Sequence, residues 1–386
     1  MAFLADIGKA KLRHVPAEDL RDRSAANVAL SGADVLEDEA ERWKYFFDAG
    51  CRGWMDALAG HTFRSTFVDL PREDAAAIVD HWEARLQARQ AGDVEREAAL
   101  LEAATASLQG LRGRLDDAVR VESEASPAGR AFVKLSTRSP KDSGKALERA
   151  AAAYRARLEK EESPPDDNRR WKILSEEVTQ AGAVATGADA LELLLDSERV
   201  YEDLEYALRG PKTHRDGAGA GAAQAYDMSV VARAWDPRLT LSSEFRGIAW
   251  GGGLTCLCQY FHPLFFPELL DLKETIEKDC LSLFAQPAVS SAVAALGGNC
   301  IVDFAWLGQG DVIIVELNPF DGLCLGTFPA STGLFLWDDA RDQAVMKGEA
   351  LFETRIRSAP LAAPQLKAQC SPHWRRIIYE ETEIGR

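Results

Sequence analysis

Basic residues are too few in this sequence to balance the acidic ones. Lys and Arg together number 45 against 61 Asp and Glu, which gives a formal net charge of −16 over 386 residues. Nucleic-acid binding needs a basic stripe that displaces counterions, and an anionic membrane surface attracts cations in the same way. We therefore expect neither nucleic acid nor membrane as a partner. A small anion could still bind in a locally basic pocket, helped by a divalent metal.

Long apolar runs and zinc-type cysteine spacings are also missing. The N-terminal residues are too polar for a signal peptide, and no stretch approaches the ~18 apolar residues of a membrane span. The seven cysteines match no zinc pattern, since Cys256 and Cys258 form C-x-C and not C-x-x-C. We expect a cytosolic protein in which the cysteines are small core residues.

The familiar nucleotide-binding and hydrolase motifs are absent as well. Residues 139–146, SPKDSGKA, imitate a P-loop, but Ser139 stands where the first Gly belongs and Ala146 where a hydroxyl would bind Mg²⁺. No G-x-S-x-G and no catalytic Cys–His signature is present. The two missing features of residues 139–146 exclude a P-loop NTPase.

The pattern of apolar residues predicts how the chain is organised. Residues 1–40 are polar and are interpreted as a mobile arm. Residues 84–122 have leucines at helical spacing and predict an amphipathic helical insert, either one helix or a hairpin broken at residues 91–93. We favour packing of this insert on its own domain over a coiled-coil partner site. From Asp227 onward the chain is rich in strand-like segments, and residues 299–320 predict a β-hairpin.

The predicted hairpin carries polar residues in otherwise apolar strands. Asp303 lies in CIVDFAW, and Glu316 and Asn318 lie two residues apart in VELNPF, so the latter two project to the same face. A buried carboxylate must be paired or neutralised, because an unpaired one costs several kcal/mol. Two carboxylates and an amide oxygen suit Mg²⁺ bound together with phosphate oxygens. The simpler alternative is that these three are edge residues whose carboxylates face water or pair with Arg.

Four cations lie in or beside apolar strands. They are Lys134 in FVKL, Lys141, Arg233 in VVARAW and Arg246 in SEFRGIAW. Each one alone is typical of a structural surface residue. Together they could balance the charge of a phosphate group, since each charge-assisted hydrogen bond contributes roughly 1.5–3 kcal/mol.

The ordered set of these segments resembles the cell division cycle protein 123 family. The resemblance runs in order from about Trp43 to Arg357. Its most specific parts are K-L followed by S-P-K-D, then E-F-R, and finally D…E-L-N-P-F…L-F-L-W. The segments that carry it are FRSTFVDLP (63–71), FVKLSTRSPKD (132–142), VVARAW (230–235), SEFRGIAW (243–250), LCQYF (257–261), CIVDFAW (300–306), VELNPF (315–320) and LFLWDDA (334–340).

The resemblance implies an α+β, ATP-grasp-like fold that holds Mg·ATP between two lobes. The backbone around Val231 to Arg233 would bind the adenine edge, with Trp235 nearby, and residues 139–142 would form a loop that faces the phosphates. The residues implied to bind nucleotide are Lys134, Ser139, Lys141, Asp142, Val231, Arg233, Trp235, Arg246 and Asp303. Those implied to hold Mg²⁺ are Asp303, Glu316 and Asn318.

The sequence departs from the family pattern at several positions. Glu316 stands where the family often has Asp, and its longer side chain should still coordinate a metal. Ala234 stands where the family often has a basic residue, and Thr137 where it often has Trp. Both differences weaken the inference that this chain has the adenine pocket of the family. The helical insert at 84–122 replaces an acidic loop.

The resemblance also implies a function, which is stated here as an expectation. The protein would be a monomeric chaperone that binds Mg·ATP and assembles eukaryotic translation initiation factor 2 through its γ subunit. The expected boundaries are an ATP-grasp-like unit at 41–357, a second lobe at about 226–345 and a C-terminal tail at 358–386. The alternatives are an ATP-grasp carboxylate–amine ligase that forms an acyl phosphate, and a pseudo-enzyme whose insert is a scaffold.

Overall fold

Two β-sheets with helices packed on them form the described part of the chain. The structure, a computed structural model, describes residues 47–209, 226–319, 331–369 and 371–379. The predicted arm at 1–40 lies outside these ranges, as do Cys324 and Cys370. The fold is mixed α+β with two lobes, as the sequence predicts.

The first sheet has four antiparallel strands in the order β1-β4-β2-β3. These strands are β1 (Ser65–Asp69), β2 (Ala131–Leu135), β3 (Ala183–Val184) and β4 (Ser229–Ala234). Val231 of β4 lies opposite Phe67 of β1 on one side and Lys134 of β2 on the other. Because β4 has a paired strand on each side, it lies inside the sheet, and its first five residues are buried.

Three helices follow β1, and the third of them packs on this sheet. They are α1 (Arg72–Ala91), α2 (Val94–Ser107) and α3 (Gln109–Ala125). Of the two alternatives for this region, the structure has the break at residues 91–93. Gly92 ends α1 in a left-handed conformation, φ 71°, and Asp93 caps α2 by accepting from the backbone N–H of Arg96. Leu111 and Leu115 of α3 are fully buried. Since α3 packs on β1, β2 and β4, this part of the predicted insert belongs to the core of the first lobe.

Four further helices lie between β2 and β4 in the sequence. They are α4 (Gly144–Leu158), α5 (Asp167–Ala181), α6 (Gly187–Leu195) and α7 (Glu198–Arg209). Side-chain caps fix where three of them begin, since Ser143, Asp166 and Thr186 each accept from a backbone N–H of the first turn. The leucines of α6 pack into the same core as α3.

The second sheet has five strands in the order β8-β7-β5-β6-β9. They are β5 (Glu244–Trp250), β6 (Gly253–Gln259), β7 (Cys300–Gly308), β8 (Asp311–Pro319) and β9 (Glu353–Arg355). All neighbours are antiparallel except β6 and β9. The sheet begins at Glu244 and not near residue 226, where the second lobe was expected to begin. It begins later because β4 pairs with β1 and β2 in the first sheet. It also ends later than residue 345, where the second lobe was expected to end, because β9 pairs with β6.

Helices cover both faces of the second sheet. On one face lie α8 (Leu269–Phe284) and α9 (Pro287–Ala295), and on the other lies α10 (Ala340–Met346). In the predicted C-terminal tail, α11 (Ala363–Ala368) and α12 (Pro372–Tyr379) pack on α5. Among the described residues, five cysteines are free and buried, as predicted: Cys51, Cys256, Cys258, Cys280 and Cys300. None of the helices described combines the length and the apolar character that a bilayer span requires.

Candidate functional site

The two sheets meet at a pair of charged side chains. Lys134 of β2 is buried and its Nζ donates to Oε1 of Glu316 on β8. One strand away, Nη1 of Arg233 donates to the backbone oxygen of Val315, also on β8, at 2.9 Å. These contacts join strands that lie more than 80 residues apart in the sequence. Lys134 of the first sheet thus binds the predicted carboxylate Glu316 of the second, and Arg233 binds the backbone of the same strand.

Asp303 is the centre of a second polar cluster. Arg246 binds its carboxylate through two hydrogen bonds, Nε to Oδ1 at 2.8 Å and Nη2 to Oδ2 at 2.9 Å. Nδ2 of Asn318 donates to the same Oδ2 at 2.9 Å. Asp303 and Glu316 lie directly opposite each other on β7 and β8. The hairpin therefore brings the three predicted metal ligands together.

The region between the two sheets around Glu316 and Asp303 is called the cleft below. The charges of its side chains depend on one another. Burial alone would raise the pKa of Glu316, but Lys134, Lys141 and Arg233 outweigh that effect and lower its pKa to about 2. Lys141 is solvent-exposed, and its Nζ lies 3.3 Å from the hydroxyl of Tyr260. Electrostatic attraction by Tyr260, and then by Glu244 and Glu316, raises the pKa of Lys141, although the protein around its ammonium group removes part of its hydration. The cleft thus holds cations and carboxylates that neutralise one another.

The sequence interpretation missed two residues of this cleft, Glu244 and Tyr260. Glu244 is half-buried, and burial together with Asp303 and Glu316 raises its pKa to about 7 despite Lys141 and Arg246. The guanidinium of Arg246 lies 4.8 Å from the centre of the Tyr260 ring. Glu244 precedes Arg246 by two residues in a strand, so the E-F-R spacing was a signal that both side chains share one face.

The raised pKa of Glu244 predicts a change of stability with pH. The folded state holds this proton more tightly than the unfolded chain, whose carboxyl has an ordinary pKa of 4.5. The resulting stability is fully present below pH 4.5 and is lost as the pH rises through about 7. Over this pH range we expect the unfolding free energy of wild type to fall by about 1–3 kcal/mol more than that of Glu244→Gln. Urea unfolding across that range measures it.

A matched control for this prediction is the exposed Glu148. Glu148→Gln should keep the pH dependence of wild type, because Glu148 lies on the solvent side of α4. If Glu244→Gln and wild type lose the same free energy between these pH values, the raised pKa of Glu244 is wrong.

Asp142 does not face the cleft. Its carboxylate accepts from the Ser197 hydroxyl at 2.5 Å and from the backbone N–H of Arg199 at 3.0 Å, at the start of α7. The positive end of that helix attracts the carboxylate. The phosphate-facing role expected for Asp142 therefore has no support in its contacts. The buried Ser139 and the exposed Lys141 lie on the same loop, and only Lys141 has a described contact with the cleft, through Tyr260.

The backbone from Val231 to Arg233 is paired on both sides, which corrects the adenine-edge expectation. In β4 this segment lies between β1 and β2, so its N–H and C=O groups form the ladders of the sheet. Trp235, just beyond β4, is buried, donates its N–H to Arg130 and accepts from the Ser126 hydroxyl. A strand that is paired on both sides has no free backbone groups to which an adenine base could hydrogen-bond.

The donor set of the cleft suits a hard cation together with an anion. Asp303, Glu316 and Asn318 supply oxygens of the kind that Mg²⁺ prefers, although in the described residues no three His, Cys, Asp or Glu side chains are grouped closely enough to bind a metal. Arg233 has a buried Nε without a hydrogen-bond partner among the described residues. An anion in the cleft would satisfy such a donor. The residues therefore fit a metal and a phosphate group chemically.

Comparison with known proteins yields matches among solved structures. No protein-family model and no curated protein matches the sequence. The structure of C-terminally truncated Cdc123 from Schizosaccharomyces pombe is 16% identical with a TM-score of 0.48, over 82% of this chain and 98% of that chain. The structure of Cdc123 from the same organism is 16% identical with a TM-score of 0.46, over the same shares of both chains.

Proposed function

We propose that this chain is a member of the cell division cycle protein 123 family that binds Mg·ATP between its two sheets. The observation that carries the proposal is the convergence of Lys134, Arg246, Asp303, Glu316 and Asn318 in one cleft. These side chains come from both sheets and belong to the segments that carry the family resemblance. As in the family, the protein would help to assemble eukaryotic translation initiation factor 2 through its γ subunit.

The ion pairs of the cleft suggest how its residues would act. Lys134 and Arg246 form ion pairs with Glu316 and Asp303, so each carboxylate is held in place. Bound Mg²⁺ would neutralise phosphate charge at Asp303, Glu316 and Asn318. Lys134 and Arg246 would then be free to bind phosphate oxygens. In this proposal the cations exchange a carboxylate partner for a phosphate partner, and no buried charge is left unpaired.

A ligand in this cleft would also affect the relative position of the two lobes. Lys134 belongs to the first sheet, whereas Glu316 and Arg246 belong to the second. A ligand that contacts both sheets stabilises the arrangement it binds. We propose that this closed arrangement is the one that binds the γ subunit.

Calorimetry with ATP, with and without Mg²⁺, tests nucleotide binding. Arg246→Gln should weaken Mg·ATP binding by about tenfold or more, because a charge-assisted contact to phosphate is lost. Arg238→Gln is the matched control: Arg238 is exposed and pairs with Asp236 and Asp311, away from the cleft. Equal affinities for both variants would contradict the proposed site.

Affinity capture with the initiation factor γ subunit tests the partner. Wild type should retain the folded γ subunit when Mg·ATP is present, and Arg246→Gln should retain much less than Arg238→Gln. Failure of wild type to retain it would overturn the chaperone proposal and leave nucleotide binding untouched. Steady release of phosphate from ATP when both a carboxylate and an amine substrate are supplied would favour the ligase alternative.

A further inference from the structure

A groove follows the outer edge of the second sheet, away from the nucleotide cleft. It is an open cavity of about 580 Å³ beside β9. Lys273 of α8 contributes to one side, and Leu334, which precedes α10, contributes to the other. Because α8 and α10 lie on opposite faces of the sheet, a cavity lined from both faces passes around the edge of β9. This is the place that a further strand would occupy.

The strand at this edge is short and pairs on one side. β9 pairs with β6 and ends the strand order of the sheet. Beyond it, the backbone N–H of Arg357 donates to the side-chain Oε1 of Gln259 at 2.7 Å and not to a neighbouring strand. An edge strand presents N–H and C=O groups to any extended segment that lies beside it.

The groove is locally basic in a protein of net charge −16. Among the described residues, neither Lys273 nor Arg357 has an ion pair, and the guanidinium of Arg357 donates through Nε to the backbone oxygen of His262. Arg355 is already neutralised by Asp342 and Glu353. Two cations without a carboxylate partner therefore line one groove, which favours an anionic ligand.

Two other features of the groove indicate a peptide ligand. Thr354 in the middle of β9 is 3% exposed, and its hydroxyl has no hydrogen-bond partner among the described residues. The half-buried Leu334 and Ile356 and the exposed Ala359 and Pro360 add apolar surface to the lining of the groove. A ligand with only a phosphate or carboxylate group would leave these apolar side chains uncovered, whereas an extended peptide offers backbone, apolar and acidic groups together.

We propose that β9 receives an extended acidic segment of a partner protein as an added strand. The backbone of the segment pairs with the open edge of β9, and its acidic side chains bind Lys273 and Arg357. This surface is separate from the nucleotide cleft, so the proposal does not rest on the proposed function.

Fluorescence anisotropy with the full chain tests this proposal. The probe is a labelled peptide that alternates glutamate with valine. Its affinity should fall about tenfold or more in the double variant Lys273→Gln, Arg357→Gln, because two charge-assisted contacts are lost. Lys278→Gln is the control, since Lys278 is exposed on the same helix but does not line the groove. Unfolding midpoints of all variants check that they are folded.

A second peptide separates strand addition from simple charge attraction. Replacing its valines by proline removes backbone donors and should abolish binding, because proline cannot pair in a sheet. Hydrogen exchange should show new protection at residues 353–357 with the first peptide alone. Equal binding of both peptides, equal binding by the double variant and Lys278→Gln, or no binding of the first peptide would each overturn the proposal.

Discussion

Replacing Asp303 by alanine is expected to abolish the Mg²⁺ dependence of ATP binding. Asp303 lies opposite Glu316 and accepts from Asn318, so its loss removes the central oxygen donor of the proposed metal site. The same change frees Arg246 from its carboxylate partner. Calorimetry should therefore show at least about tenfold weaker ATP binding with Mg²⁺, and unchanged or tighter binding without it.

The control for this variant lies on the same hairpin. Asp311 is exposed at the start of β8 and pairs with Arg238, so Asp311→Ala should bind Mg·ATP as wild type does. Asp303→Asn keeps the side-chain shape and should still lose the Mg²⁺ dependence. An unchanged affinity of Asp303→Ala for Mg·ATP would show that Asp303 is no metal ligand.

The Leu115→Ala variant is expected to destabilise the first lobe strongly. Leu115 of α3 is fully buried between α6 and the first sheet. Truncation of such a leucine removes apolar burial and leaves a cavity, which costs about 2–5 kcal/mol. The free energy of unfolding in urea measures this loss.

Val94→Ala is the matched control for the same helical region. Val94 is 76% exposed at the start of α2, so its truncation should change stability by less than about 0.5 kcal/mol. If Leu115→Ala were equally mild, the helices of residues 84–122 would be separable from the lobe. The proposed packing of α3 would then be wrong, and a scaffold that can be deleted without unfolding would regain support.

Local patterns were enough to predict several elements closely. The alternation of residues 62–70 predicts a strand, and the structure has β1 there (Ser65–Asp69). The apolar spacing of residues 267–285 predicts a helix, and the structure has α8 there (Leu269–Phe284). The hairpin predicted at 299–320 is β7 and β8, which turn at Gly308 to Gly310. These elements depend on the spacing of apolar residues and on turn residues, which are properties of neighbours in the chain.

The hairpin also explains why part of the site could be predicted. Once β7 and β8 pair through a short turn, the positions of Asp303, Glu316 and Asn318 follow from the period of two in a strand. Their closeness is a local consequence of one turn. By itself, therefore, the sequence determined the acidic half of the candidate site and the character of the cysteines as core residues.

The tertiary structure alone decided what these carboxylates meet. Lys134 reaches Glu316 across 182 positions, and Tyr260 comes beside Lys141 and Arg246 only because β6 pairs with β5. No pattern of neighbouring residues encodes such distances.

Two expectations changed for the same reason. Asp142 is directed away from the cleft because the start of α7 lies close enough to attract its carboxylate. The edge of β4 is closed because two strands from earlier in the chain pair with it. Which groups lie together across the fold depends on the packing of the whole core, and packing is a property of all the elements at once.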